Sequence, residues 1–200
     1  MPIRINLRHF LQLAFVVICM PGLAGAQAAA TPEQPRIELG VDYNFVHSNA
    51  PPGGCSCFNL NGGGVNLAWP IAKGGFAVVG DVSVTHASSI SSGGYSLTLG
   101  TYTAGIRYRA KLGHSLIHPF GEATVGVAHA SGSLVEGSDA SVSNSGGSFA
   151  LITGGGVDLR ATRRLWFRLI DADYVMTNFD NGSNNRQNNL RIAAGVIFRF

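Results

Sequence analysis

Gln187-Asn188-Asn189-Leu190-Arg191-Ile192-Ala193-Ala194-Gly195-Val196-Ile197-Phe198-Arg199-Phe200 alternates apolar residues with polar or small ones for most of its length. Side chains of a strand point alternately to its two faces. Leu190, Ile192, Ala194, Val196, Phe198 and Phe200 therefore share one face. Arg191, Ala193, Gly195, Ile197 and Arg199 share the other. One face suits lipid, and the opposite face carries two arginines among small residues. A closed sheet whose last strand finishes at a membrane edge has this form.

Working outward, the same alternation predicts eight strands, at about 36–47, 58–69, 75–87, 95–109, 117–130, 148–159, 165–175 and 187–200. Each approaches the roughly 9–11 residues that a tilted strand needs to cross a bilayer. No helical period of useful length interrupts them. Segments 70–74, 110–116 and 160–164 are short, whereas 48–57, 88–94, 131–147 and 176–186 are longer and rich in Ser, Asn and Gly. Short turns on one side and longer loops on the other are the pattern of transmembrane barrels. The expected fold is all-β: an eight-stranded antiparallel up-and-down transmembrane β-barrel with both termini periplasmic.

Ile37, Leu39, Val41, Tyr43 and Phe45 of the first strand oppose Arg36, Glu38, Gly40, Asp42 and Asn44, and later strands repeat the division. The inward polar set is expected to comprise Glu38, Asp42, Asp81, Arg107, Arg109, Glu122, Asp158, Asp171, Asp173, Arg191 and Arg199. Aromatics near strand ends form the expected interfacial girdles. Trp69, Phe76, Tyr108, Trp166, Phe198 and Phe200 would mark the periplasmic side, and Tyr43, Phe45, Tyr102, Phe149 and Tyr174 the outer one. Arg168 breaks the scheme. By parity with Trp166 and Ile170 it points to lipid, where a mid-bilayer arginine costs about 2–4 kcal/mol. Snorkelling would relieve it, or a bulge would turn it inward.

The chain opens with Arg4 and Arg8, an apolar run from Phe10 to Met20, Pro21, and Ala24-Gly25-Ala26. That is the layout of a cleaved secretory signal peptide over 1–26. The run is too short to cross a bilayer of about 30 Å as a helix. Residue 18, before Cys19, is Ile rather than the small residue of a lipobox, so no lipidation is expected. A short lead, 27–35, then precedes the barrel domain, 36–200. Of the 14 basic residues, two lie in the signal peptide; twelve remain against 11 acidic, so the net charge falls from +3 to +1. A near-neutral chain gives no footing for nucleic-acid binding. Only 12% of residues are charged, few for a domain facing water all round.

Gly40-Val41-Asp42-Tyr43, Asn61-Gly62-Gly63-Gly64, Pro119-Phe120-Gly121-Glu122, Gly154-Gly155-Gly156-Val157-Asp158, Asp173-Tyr174 and Phe198-Arg199-Phe200 fall in an order and spacing that resembles the OmpA/OmpX-type family of eight-stranded outer membrane β-barrels. The resemblance covers 36–200. It implies the outer membrane, contact with its lipid and lipopolysaccharide, and insertion by the barrel-assembly machinery, with Phe198 and Phe200 in the terminal recognition signal. OmpA continues into a peptidoglycan-binding domain and this chain stops at the barrel, so an anchoring role is not carried over.

Charges buried in a narrow lumen must pair, and an eight-stranded barrel is just wide enough for side chains to fill. The expected function is therefore non-enzymatic: a structural or surface-interaction barrel, its lumen plugged, its polar loops meeting an extracellular partner. A narrow ion or small-solute pore is the alternative, and a periplasmic lipocalin-like calyx shares the alternation. A lipid-modifying enzyme is the remaining class. On a regular strand, however, Asp81 and Ser83 face away from His86, and His118 and Glu122 are too far apart for a direct hydrogen bond. The histidines show no metal-ligand spacing, no cofactor motif is present, and no helix follows Gly154-Gly155-Gly156 to make a phosphate cradle. Cys55 and Cys57, in an outer loop of an oxidising compartment, make a strained local disulfide or remain incidental thiols. Binding of a soft metal or an intermolecular bridge is the other use open to them.

Overall fold

The computed structural model describes residues 36–48, 57–71, 74–90, 94–113, 115–132, 144–180 and 185–200. The expected signal peptide (1–26), the lead (27–35) and Cys55 lie outside them. Eight strands follow in order: β1 Glu38–Ser48, β2 Phe58–Pro70, β3 Phe76–Ile90, β4 Tyr95–Arg109, β5 Ile117–Gly132, β6 Asn144–Arg160, β7 Leu165–Thr177 and β8 Gln187–Arg199. Every consecutive pair is antiparallel, and β1 closes on β8 from Glu38↔Arg199 to His47↔Leu190. Closure leaves no edge strand, which is the condition for a sheet to stand in hydrocarbon.

The alternation seen in the sequence has a direct physical outcome. Val41, Val65, Val82, Ile106, Val125 and Leu190 lie outward, each about half exposed, while their chain neighbours Asp42, Asn66, Asp81, Arg107, Thr124 and Arg191 are buried in the lumen. This inverts a water-soluble protein, whose aliphatic residues turn inward, and it excludes the calyx. At the end where β1 joins β2, the aliphatic belt gives way to outward polar pairs. Tyr43 hydroxyl donates to Asn61 at 2.7 Å, His47 meets Asn59 at 2.7 Å, and His86 meets Thr98 at 2.9 Å. Tyr174 likewise reaches Asn188. This is the long-loop end, with connections 49–57, 91–94, 133–143 and 178–186; turns 71–75, 110–116 and 161–164 define the short-turn end. Gly75 (φ 97°) turns the chain from β2 to β3, and its carbonyl accepts from the Arg109 backbone at 2.9 Å.

One strand departs from the sequence reading. On the β6 side, Val157 pairs with Ile170 and Asp158 with Arg168; on the β8 side, Gly195 pairs with Arg168 and Ala193 with Asp171. Leu169 is thus an extra residue, a β-bulge, and both Leu169 and Ile170 face outward. The bulge reverses parity along β7. Arg168, expected by parity toward lipid, is 3% exposed inside the barrel. Trp166, expected in the periplasmic girdle, is corrected likewise: it is 2% exposed and sits in the lumen, and Phe167 takes the outward position beside it.

Candidate functional site

The lumen gathers the chain's buried charge. All eleven residues expected there face it, together with Arg168, and the charged side chains divide into linked groups. Near the short-turn end, Arg109 bridges two strands, donating to Glu38 at 2.5 Å and to Asp158 at 2.6 Å. Arg199 meets Glu38 at 3.0 Å. Trp166 lies beside these guanidiniums, its ring 5.2 Å from Arg109 and 4.2 Å from Arg199, and stacks on His118 at 4.5 Å. An aromatic ring close to two cations attracts both, which is why this tryptophan is at home inside.

At mid-barrel, Arg168 joins Asp158 at 3.2 Å to Asp171 at 3.1 Å, with Asp42 at 3.8 Å. Asn66 donates to Asp42 at 2.5 Å. Arg107 donates to Glu122 at 2.6 Å and reaches the side-chain Oδ1 of Asn66 at 3.4 Å. Phe120 lies beneath both Arg107 and Arg168, at 5.1 and 4.5 Å. Arg191 binds Asp173 and Asp81, each at 2.9 Å, and stands 4.0 Å from Glu122. Carboxylate oxygens of Glu122, Asp171 and Asp173 come within 4.8 Å of one another. Each of the three is already held by an arginine: Arg107, Arg168 and Arg191 respectively.

Hydroxyls adjoin the charges, with Thr124 against Thr103 at 3.0 Å beside Asp81 and Ser83 against Thr101 at 2.8 Å one step further toward the long-loop end. Toward the long-loop end an apolar tier lies beside buried polar groups, among them Ser48, which donates to Asn189 at 2.9 Å. Val46, Leu60, Ala87, Ile90, Leu99, Ala128, Ala130 and Ala150 are buried together there, with Phe58, Tyr95, Leu97 and Phe179 packed on them. The polar-lumen reading missed this tier, along with Phe120 and Trp166. The signal was present: Val46, Leu60 and Leu99 share parity with Asp42, Asn66 and Arg107.

Several inward glycines make room for this packing. A Cβ at Gly40 would overlap the Asn66 amide, and one at Gly154 or Gly195 would overlap the carboxylate of Asp173 or Asp42. The residues considered for catalysis are separated or otherwise engaged. Ser83 hydrogen-bonds Thr101 inside, His86 meets Thr98 outside, His118 stacks on Trp166, and Glu122 holds Arg107. Cys57 is exposed just before β2. Of the girdle aromatics, Tyr43, Trp69, Phe76, Tyr102, Tyr108, Phe149, Tyr174, Phe198 and Phe200 are exposed outward, with Phe45 partly covered.

A closed barrel of eight strands with an apolar outside and a charged inside narrows the choice to one kind of protein, and a family model confirms it. The model for the outer membrane protein beta-barrel domain matches residues 15–198. The chain belongs to that family. Membership places this barrel in the bacterial outer membrane. Among solved structures it is similar to Neisserial surface protein A (NspA), with a TM-score of 0.61 and 16% identity over 82% of this chain and 97% of that one. It is also similar to Ail, the attachment invasion locus protein of Yersinia pestis, with a TM-score of 0.52 and 18% identity over 83% of this chain and 97% of that one. At such identities the likeness is one of fold. A comparison with curated proteins by sequence finds no match.

Proposed function

We propose that this outer membrane barrel is a non-enzymatic surface protein: a closed scaffold, its short-turn end in the periplasm, that presents polar loops outside the cell. The observation that carries this reading is the two-tier lumen. A water-filled channel needs an open path, whereas here interlocked ion pairs fill the middle of the barrel, and beyond them the apolar cluster around Leu60, Ile90 and Leu99 packs beside the buried Ser48–Asn189 pair. Opening it would expose buried guanidiniums and carboxylates with their partners removed, at several kcal/mol per ion. Ser83, His86, His118 and Glu122 are engaged by Thr101, Thr98, Trp166 and Arg107, which supports the non-enzymatic part.

Loop composition supports one class of partner. Segments 49–57 and 91–94 carry no charge, 133–143 carries Glu136 and Asp139, and 178–186 carries Asp180 and Arg186. The Ail barrel has been crystallised with a heparin analogue, sucrose octasulfate. Loops that are neutral to acidic do not suit a sulfated polyanion, which favours a hydrogen-bonding partner surface without strong negative charge. Planar-bilayer recording tests the closed lumen, after a heat-shift gel shows that the protein is folded. Absence of single-channel steps is expected. Reproducible steps would replace the scaffold reading with the narrow pore.

A further inference from the structure

Outside the lumen, charge is distributed unequally between the two ends. The short-turn end holds Arg36, Lys111, Arg160, Arg163 and Arg164, and its turns contain no Asp or Glu. The acids described at this level, Glu38 and Asp158, point into the lumen and are held there by Arg109. Four of these arginines form one sector. Arg36 donates to the Arg163 carbonyl at 3.4 Å, the Arg199 backbone donates to the Arg164 carbonyl at 2.8 Å, and the Arg160 backbone donates to the Leu116 carbonyl at 2.8 Å. The sector therefore continues across the β4–β5 turn. No ion pair engages Arg36, Arg160, Arg163 or Arg164 among the described residues.

Apolar side chains share the same rim. Ile71, Leu112 and Leu116 are each more than half exposed within the turns themselves, next to the outward aromatics Trp69 and Phe76. A soluble polyanion would make no use of exposed leucines, whereas a membrane interface takes both kinds of group: the leucines enter the acyl boundary and the guanidiniums remain at phosphate level.

We propose that this sector is a binding surface for anionic phospholipid headgroups of the leaflet surrounding the short-turn end, with Arg160, Arg163 and Arg164 engaging the phosphate and Leu112 and Leu116 the adjoining chains. A guanidinium suits this task because its planar fork matches phosphate oxygens in a bidentate pair. The inference rests on membrane insertion and is independent of whether the lumen is closed.

The test is lipid selectivity of the full chain, reconstituted in phosphatidylcholine bilayers with a trace of spin-labelled phosphatidylglycerol or spin-labelled phosphatidylcholine. A heat-shift gel on each sample reports the folded barrel separately from lipid choice. The motionally restricted fraction should favour phosphatidylglycerol on the order of fivefold. It should approach parity in 1 M salt, which shortens electrostatic reach to about 3 Å, and in Arg160→Gln/Arg163→Gln/Arg164→Gln. Arg186→Gln, at the long-loop end, should leave the preference unchanged. If the triple variant gives no shifted band, Arg163→Gln and Arg164→Gln are read singly, each expected to lower the preference about twofold. Equal association of the two lipids with the unaltered chain overturns the proposal. So does a preference that survives high salt, persists in the folded variants or disappears with Arg186→Gln.

Discussion

Arg168 Nε lies 3.2 Å from Asp158 Oδ1, across β6 and β7 at the point where Leu169 is squeezed out of the ladder. The two facts are connected. Arg168 and Asp171 are three residues apart, and on a regular strand they would face opposite ways. One extra residue between them lets both reach the lumen, where they pair at 3.1 Å.

A counter-intuitive deletion follows from that geometry. Removing Leu169 straightens β7 but keeps Trp166, Arg168, Asp171 and Asp173 on the inner face. That variant should still fold to a heat-shifted band. Removing Ala172, three positions on, either turns Asp173 and the rest of β7 outward or, if the bulge straightens to absorb it, sends Asp171 to the lipid face, so no shifted band should form. If the two deletions behave alike on the gel, the bulge does not set the facing of β7.

The two tryptophans give an optical test of the same correction. Trp69 is 58% exposed on the outside and Trp166 is 2% exposed in the lumen. In bilayers with brominated acyl chains, Trp166→Phe protein, which emits from Trp69, should be strongly quenched. Trp69→Phe protein should keep most of its emission. Similar quenching of both would return Trp166 to the lipid face.

The barrel was legible because lipid imposes a strict demand on every outward position, so Leu190 through Phe200 could be sorted by parity alone. Arg191, Asp173 and Asp81 were likewise legible as lumen residues, since they share parity and have no tolerable place outside. Trp166 was not legible, because aromatics near strand ends are ambiguous. In lipid they mark the interface, but in a lumen lined with arginines an indole face is equally well satisfied. Arg168 was flagged only as a conflict. Parity counting assumes a regular strand, and the adjacent aliphatics Leu169-Ile170 were its one visible breach. The apolar tier escaped for another reason: Leu60, Ile90 and Leu99 lie beyond the charged residues, where inward side chains of neighbouring strands pack on one another and no buried charge demands a polar partner.

Arg191 joins Asp81 on β3 to Asp173 on β7, at 2.9 and 2.8 Å across the lumen. Replacing it with Met leaves two buried carboxylates without their partner, a loss of about 3–5 kcal/mol. The urea midpoint of the heat-shifted form should fall accordingly. Arg191→Met combined with Asp81→Asn and Asp173→Asn should recover part of that loss, because the uncompensated charges go with it. A triple variant less stable than the single one would mean that Arg191 acts through packing rather than charge.

Glycines on opposite faces of the wall should respond in opposite ways to the same change. At Gly195, on the inner face of the strand that closes the barrel, a Cβ would run into the Val41 carbonyl and the Asp42 carboxylate. Since one contact is backbone, no rotamer change relieves it, and β1 must move from β8. Gly80 faces outward between Val78 and Val82, and a Cβ there meets nothing within 4 Å. Gly195→Val should therefore cost at least the ~1–3 kcal/mol of an overpacked core and reduce the yield of closed barrel on refolding into detergent. Gly80→Val should match or exceed the unaltered chain, since it adds a β-branched side chain to a lipid-facing strand. Equal refolding yields for the two variants would show that closure of β1 on β8 does not depend on the bare backbone at Gly195.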